Sequence, residues 1–466
     1  MFRINLFFCL FFSVCLLDAK NVQLSDDSSS DSADVINVNI QKSGSIVKET
    51  YNEVLDFKEL VLSNGIKVIL KKTDLNSDEI IFSAQCTGGR SLYGKRDWAN
   101  LKLFNTAVAW SGLGEYSSSA LGSILRNKNV NMDLTMTDTH SLVEGSSTPE
   151  ELETMFKLAY LYFTNIRKDT TSFNTLTYSL TDGMGDQDNQ PDKIFSDSVV
   201  NTIYGHDSRL RSLEKKDFDK ADVNRIMQIA KEITSNPAAY TFTIVGNFDD
   251  KEIRSLICRY IATLSEKKSA KLGHRIGAPA KGIIVNKFHC NANVDKANAL
   301  IYWHNDNMKW SLENKVKAEV AGKILYTIYS NILPKVEKSS YKLGAYGKMI
   351  HYEDGLTSTI IAAQCPMTVQ SKDSSVMILR NAAYLLSKKC DQTLLSHAQL
   401  GLLMTEEENL RTNNYWFDIL SYYDKYGIDL LHDYNKTVSS LTLQDICEFM
   451  KQFLKSGNRI EVVMIP

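Results

Sequence analysis

The chain is short of several things, and each shortage narrows its function. Only seven of 466 residues are proline, too few for a proline-rich linker protein and compatible with regular folded structure. Neither charge is in excess: 53 Lys and Arg face 55 Asp and Glu, giving a formal net charge of −2 and an isoelectric point near 6.5. With no basic block interleaved with aromatics, nucleic acid is excluded as the main partner. No apolar run of 18 residues occurs beyond the N-terminal segment, so no membrane span and a soluble mature protein are expected. Histidine is limited to positions 140, 206, 274, 289, 304, 351, 397 and 432, and no two lie within five residues of each other. A pair of imidazoles on one helical turn, the usual nucleus of a helix-borne zinc site, is therefore absent. There is no G-x-S-x-G elbow, no Walker loop and no G-x-G-x-x-G after a strand; Gly183-Met184-Gly185 lacks the third glycine and follows a helical stretch.

Met1-Phe2-Arg3 followed by the apolar stretch 6–17 reads as a secretory signal, with cleavage expected near Leu17-Asp18-Ala19 and residues 1–19 removed. Lipid attachment at Cys15 is the weaker alternative, because Val14 replaces the small residue expected before such a cysteine. Secretion or a periplasmic location follows. Cys86, Cys258, Cys290, Cys365, Cys390 and Cys447 would survive cleavage; export permits disulfides, but the wide spacing fits neither a small disulfide scaffold nor a zinc knuckle. Residues 20–50, with Ser and Asp repeated at their centre, read as a flexible polar leader.

Two stretches share one plan. In 220–248, Asp222 precedes Val223, Ile226, Met227, Ile229 and Ala230 at helical spacing, then Ser235-Asn236-Pro237 breaks the helix and an apolar run follows to Gly246. In 443–466, Asp445 precedes Ile446, Phe449, Met450, Phe453 and Leu454, Ser456-Gly457-Asn458 breaks the helix, and 460–465 is a strand. Aligning Asp222 with Asp445 gives an offset of about 220 residues, so one domain plan is expected twice, each copy closed by a helix feeding a buried strand. The first copy should open with the hairpin 57–62/66–70 around Ser63-Asn64-Gly65, then strands at 79–84, 130–137 and 140–146. Helices are expected at 98–110, 117–126, from Thr148-Pro149 to about 163, 169–182 and 191–204, with 183–190 a polar link. The second copy should place strands at 282–285, 298–302, 343–352 and 357–363, and helices at 312–333, 376–390, 394–412 and 416–426. Strands meandering before helices describe α+β architecture: two homologous domains, each a mostly antiparallel sheet packed against a helix layer. The boundaries expected are 51–265 and 281–466, with 266–280 as linker.

Leu62 to Leu70 with its Ser-Asn-Gly turn, Gly88-Gly89, Pro191-Asp192-Lys193-Ile194-Phe195-Ser196-Asp197 with Tyr204-Gly205, and Thr243 to Asp249 come in an order that resembles the pitrilysin/insulinase family of zinc metallopeptidases, over roughly 56–466. The similarity is greatest to metal-free halves of such enzymes. It implies two domains that enclose a peptide together with a similar zinc-bearing half. The family's zinc motif is H-x-x-E-H on a helix. The corresponding stretch here, 101–110, has neither His nor Glu, so no zinc or other cofactor is expected in this chain, and zinc only in a partner. Other candidates are poor ligand sets: His140 and Glu144 alternate along a strand, His289-Cys290 is an isolated pair, and Glu406-Glu407-Glu408 reads as a solvated helix face.

The resemblance also implies an Arg/Tyr pair that hydrogen-bonds the peptide, near a G-x-x-Y-G-like turn. Leu343-Gly344-Ala345-Tyr346-Gly347 fits it, making Gly344, Tyr346 and Gly347 candidate substrate-binding residues, with Lys335 the cation nearest the arginine position. Lysine offers a point charge where arginine offers a fork. No catalytic residue is assigned, and a peptidase inactive on its own is expected. The expected function is a non-catalytic, zinc-less subunit of a secreted peptidase, binding a peptide or unfolded protein and pairing with a zinc-bearing homologous subunit or a second copy of itself. The alternative is a peptide-binding or scaffold protein without a proteolytic role.

Overall fold

The computed structural model describes residues 35–187, 190–266, 270–290, 296–336 and 343–466. The signal segment and Cys15 lie outside the described residues, as do residues 20–34 of the leader. Among the described residues there are fourteen strands: β1 (Ile46–Asn52), β2 (Phe57–Leu62), β3 (Lys67–Lys72), β4 (Ile80–Thr87), β5 (Gly112–Leu113), β6 (Val130–Met136), β7 (His140–Ser147), β8 (Ile166–Arg167), β9 (Thr241–Gly246), β10 (Ile283–His289), β11 (Ala297–Asn305), β12 (Gly344–His351), β13 (Thr357–Met367) and β14 (Arg459–Ile465). The helices of the first half are α1 (Trp98–Ala109), α2 (Ser118–Leu125), α3 (Leu152–Thr164), α4 (Thr170–Gln187), α5 (Pro191–Tyr204), α6 (Lys215–Phe218), α7 (Val223–Thr234) and α8 (Asp250–Leu256). The second half adds α9 (Leu312–Val336), α10 (Lys372–Leu386), α11 (Gln392–Asn409), α12 (Asn413–Tyr426), α13 (Leu430–Ser440) and α14 (Leu443–Leu454).

The repeat is explicit in the strand order. The first sheet runs β1-β2-β3-β9-β4-β7-β6 and the second β10-β14-β11-β13-β12. In each, the last strand inserts in parallel beside an earlier one, β9 along β3 and β14 along β10, and pairs antiparallel with the strand that follows it in the chain, β4 or β11. Five strands thus correspond one to one, in two α+β units built on mostly antiparallel sheets. The closing helices α7 and α14 each bury one face, Ile226, Ile229 and Ala230 in one and Ile446, Phe449 and Met450 in the other. Their register differs by three residues from the Asp222/Asp445 alignment. Asp222 caps α7, whereas α14 is capped by Thr442, and Asp445 is the third residue of a capping box.

Each sheet is covered on both faces, and the coverage is reciprocal. The inner face of the first sheet packs on its own helices, with Phe82 and Phe242 against Phe156, Leu101 and Ile229 in one core. The second does likewise, with Ile301, Trp303 and Val463 against Ile324, Leu379 and Phe449. The outer face of the first sheet (Phe57, Ile69, Val245) receives Ile419 and Leu420 of α12 and Leu430 of α13, from the second half. The outer face of the second sheet (Leu300, Tyr302, Ile360, Val462) receives Phe195, Val199 and Ile203 of α5, from the first. This explains why β11 is buried at all nine positions, while β4 alternates. Burying three large side chains on α5 contributes on the order of 5 kcal/mol, enough to hold the halves as one body.

The structure departs from the sequence reading in several places. Residues 46–50, read as leader, belong to edge strand β1, and Ile36 is buried in the first core. Five of the seven β1 residues are exposed on whichever face they point to, so no alternation marks the strand; backbone pairing with β2 alone defines it. Helix α4 runs through the polar stretch 183–187 rather than stopping at 182. Helix α13 was not anticipated. Gly344 to Gly347 form part of β12, within the strand expected at 343–352, rather than the turn that the resemblance implies. In the expected linker 266–280, Gly273 N–H donates to Thr87 Oγ1 of the first half at 3.0 Å and Arg275 pairs with Asp306 of the second at 3.0 Å. All six described cysteines are free thiols.

Candidate peptide-facing surface between the two halves

Helix α1 is where the resemblance would place zinc ligands. Its buried face carries Trp98, Asn100, Leu101, Leu103, Phe104, Ala107 and Val108. Toward β6 it presents Asn105, whose carboxamide accepts from Met136 N–H at 2.8 Å and donates to Met136 O at 3.3 Å. Lys102, nearly buried, pairs with Asp217 at 3.3 Å. Burial lowers the Lys102 ammonium from its ordinary range, against the pull of Asp217. Apolar groups, an amide and a cation form this donor set, which does not fit Zn²⁺. Among the described residues, no three His, Cys, Asp or Glu side chains are grouped to hold a metal.

The remaining sequence candidates have ordinary partners. His140 Nε2 lies 3.1 Å from Glu353, and its Nδ1 is 2.9 Å from Thr139 Oγ1. Glu144 is pushed up by burial and held beside Thr135 at 3.4 Å. His289 Nδ1 contacts Pro466 O at 2.9 Å, and Cys290 is buried. The solvated-face reading of 406–408 needs correction at its first residue: Glu406 is 4% exposed and accepts from Tyr415 at 2.6 Å, because α11 packs that position toward α9 and α12.

Of the four candidate substrate-binding residues, three lie together on β12, the edge strand of the second sheet. Gly347 is required by close packing: a Cβ there would lie 1.9 Å from Ala318 O, and one on Gly322 would lie 2.1 Å from Gly347 N. The α9 backbone therefore rests directly on β12. Alternation then turns Tyr346, Lys348 and Ile350 to the opposite face, toward α5. Tyr346 is half-buried and, with Gly344, lines a narrow slot of about 30 Å³ whose other walls include Val199, Ile203 and Leu300. That volume holds about one water molecule. Burial raises the Tyr346 phenol, keeping it a protonated donor at neutral pH. Lys348 Nζ lies 5.7 Å from the Tyr346 ring centre, and burial brings it down to about 8. Lys335 is exposed at the last turn of α9, and residues 337–342 between it and β12 lie outside the described residues.

Sequence reasoning missed the polar contacts that join the halves around this surface. Glu353, in the β12–β13 turn, pairs with His140 at the start of β7 and with Lys425 of α12. Asp306 receives Arg275 and a 2.8 Å bond from Ser358. Asn413 of α12 donates to Glu79 at 2.8 Å and accepts from Thr73 at 2.6 Å. Lys71 lies 4.4 Å from the Trp416 ring centre. The hydrogen bond from His140, outweighing burial, and the Lys425 ammonium hold Glu353 at about 2. Burial would raise Asp306, but His304, Ser358 and Arg275 together hold it at about 2. Both carboxyls are depressed in the folded state, so their stabilisation is fully present above about pH 5 and is lost as pH falls toward 2. Together they should account for roughly 2–4 kcal/mol of acid-sensitive stability. Urea unfolding between pH 5 and 2 should show this loss, and Glu353→Gln should flatten part of it; identical pH profiles for the two proteins would refute the assignment.

The paired sheets, their reciprocal helices and the parallel closing strands define an M16 peptidase fold. The periplasmic protease PqqL from Escherichia coli aligns over 96% of this chain and 49% of its own, with a TM-score of 0.77 and 18% identity. A peptidase M16 inactive domain from Pseudomonas fluorescens aligns over 88% of this chain and 98% of its own, with a TM-score of 0.69 and 14% identity. In sequence, the chain is homologous to the probable zinc protease PqqL of Escherichia coli K12, with 27% identity over 222 residues, 48% of this chain and 24% of that protein. The chain thus spans about half of the solved PqqL, and the sequence match about a quarter of the curated relative. No family model matches the sequence. No helix among the described residues is long and apolar enough to cross a membrane.

Proposed function

We propose that this chain is a zinc-less half of a PqqL-like peptidase, exported to the periplasm or beyond, that completes a peptide-binding chamber with a zinc-bearing homologous half. The observation that carries this reading is α1, where Leu101, Phe104 and Asn105 stand on the helix expected to bear ligands. Zinc would belong to the partner. The homology to a zinc protease and the likeness to an inactive M16 domain support the pairing. An extended peptide would add to an exposed sheet edge through main-chain hydrogen bonds, so binding would need little sequence recognition. Edge strand β12 offers such a border and carries Tyr346.

In this reading the Tyr346 phenol donates to a peptide carbonyl as charge develops on it, and Lys335 adds only a mobile charge. The test is Tyr346→Phe in a complex reconstituted with a zinc-bearing homologous half. Turnover should fall about 100-fold, with peptide affinity within about threefold of the parent. Unchanged turnover would remove Tyr346 from the chemistry and favour a chain that binds peptides without assisting their cleavage.

A further inference from the structure

In the second half, the turn after β11 and the turn after α14 enclose an open cavity of about 330 Å³. The volume lies at the lower end of small-ligand sites. Its walls include Asn305, Asn307, Lys309, Asn314, Lys455 and Ser456, and no carboxylate lines it. Much of this wall is fixed in place. Buried Asn305 donates to Gln452 O at 3.2 Å and Phe453 O at 3.0 Å, and its carbonyl accepts from Asn307 N at 2.9 Å. Asn314 donates to Lys309 O at 2.9 Å, and Ser456 to His304 O at 2.8 Å. These bonds satisfy the α14 carbonyl end and set the framework without using either lysine ammonium.

Lys309 and Lys455 are exposed and have no acidic partner among the described residues. The acids closest to Lys309 in sequence are engaged elsewhere, Asp306 with Arg275 at 3.0 Å and Glu313 with Lys317 at 2.5 Å. Two uncompensated cations therefore face a rigid, amide-rich cavity, and the first turn of α9, to which Asn314 belongs, adds a positive dipole end. We propose that this cavity binds a small multiply charged anion, a phosphate group or a polycarboxylate, held between the two ammonium groups and the side-chain amides of Asn307 and Asn314. The site lies near the end of β12, where Trp310 stacks on His351 with ring centres 5.1 Å apart, and it does not depend on any peptidase role.

Calorimetric titration of the full chain at low salt, with inorganic phosphate and separately with citrate, tests this. Saturable binding of at least one anion is expected, phosphate alone indicating a phosphoryl ligand and citrate alone a polycarboxylate. The double variant Lys309→Ala/Lys455→Ala should bind about tenfold more weakly or worse, while Lys309→Arg/Lys455→Arg retains binding. Lys388→Ala/Lys389→Ala, an exposed pair on another surface, should leave it unchanged. No saturable heat with either anion up to about 10 mM, or equal weakening in the two alanine variants, would overturn the proposal.

Discussion

Replacing Lys315 by methionine is expected to destabilise the protein by about 3–5 kcal/mol. Lys315 lies in the first turns of α9, 7% exposed, with its ammonium 2.6 Å from Glu319 and 5.3 Å from the Tyr434 ring centre. Tyr434 donates to the other Glu319 oxygen at 2.8 Å, and Tyr415 donates to Glu406. Two carboxylates, one ammonium and these phenols thus share a nearly dry space among α9, α11, α12 and α13. Burial lowers the Lys315 ammonium, yet Glu319 and Glu406 outweigh it and raise it overall; burial raises the Glu406 carboxyl. Removing the one cation leaves Glu319 and Glu406 to repel each other with only hydroxyl donors. The double variant Lys315→Met/Glu319→Gln should recover much of the loss, because an uncharged pair carries a smaller desolvation penalty. Chemical denaturation of the two variants measures this. A single variant within about 1 kcal/mol of the parent would show that the cluster is hydrated.

That cluster marks the limit of what the residues disclose. Lys315 and Glu319 are spaced as any exposed i,i+4 pair, and Glu406 opens a run of three acids; only tertiary packing distinguishes Glu406 from its exposed neighbours. The repeated sheets were legible because periodicity in α7 and α14 and the breaks after them are local signals. Strand β1 was not, because its exposed side chains carry no pattern and its pairing is a backbone property. Gly347 was legible as a special position but for a different reason: the resemblance implies a turn, whereas contact with Ala318 and Gly322 requires the glycine. Tyr346 was singled out through a resemblance, and its placement between β12 and α5 depends on a helix from the other half, which no local pattern encodes. That α1 carries neither His nor Glu is read from residue identity alone, whereas its place in a zinc motif is only what the resemblance implies.

The largest expected effect concerns activity itself. Hydrolysis of an extended, quenched-fluorescent peptide should be absent with this chain alone, since α1 supplies neither an imidazole nor a carboxylate. Titrating it onto a zinc-bearing homologous half from the same organism should raise turnover by about 100-fold or more, saturating near one chain per partner, because completing the chamber orients the peptide for reaction. This titration is the most direct test of the central claim. Saturating stimulation at equal stoichiometry is the predicted result. Hydrolysis by this chain alone, abolished by a zinc chelator, or no change in the partner's rate at any ratio, would contradict it.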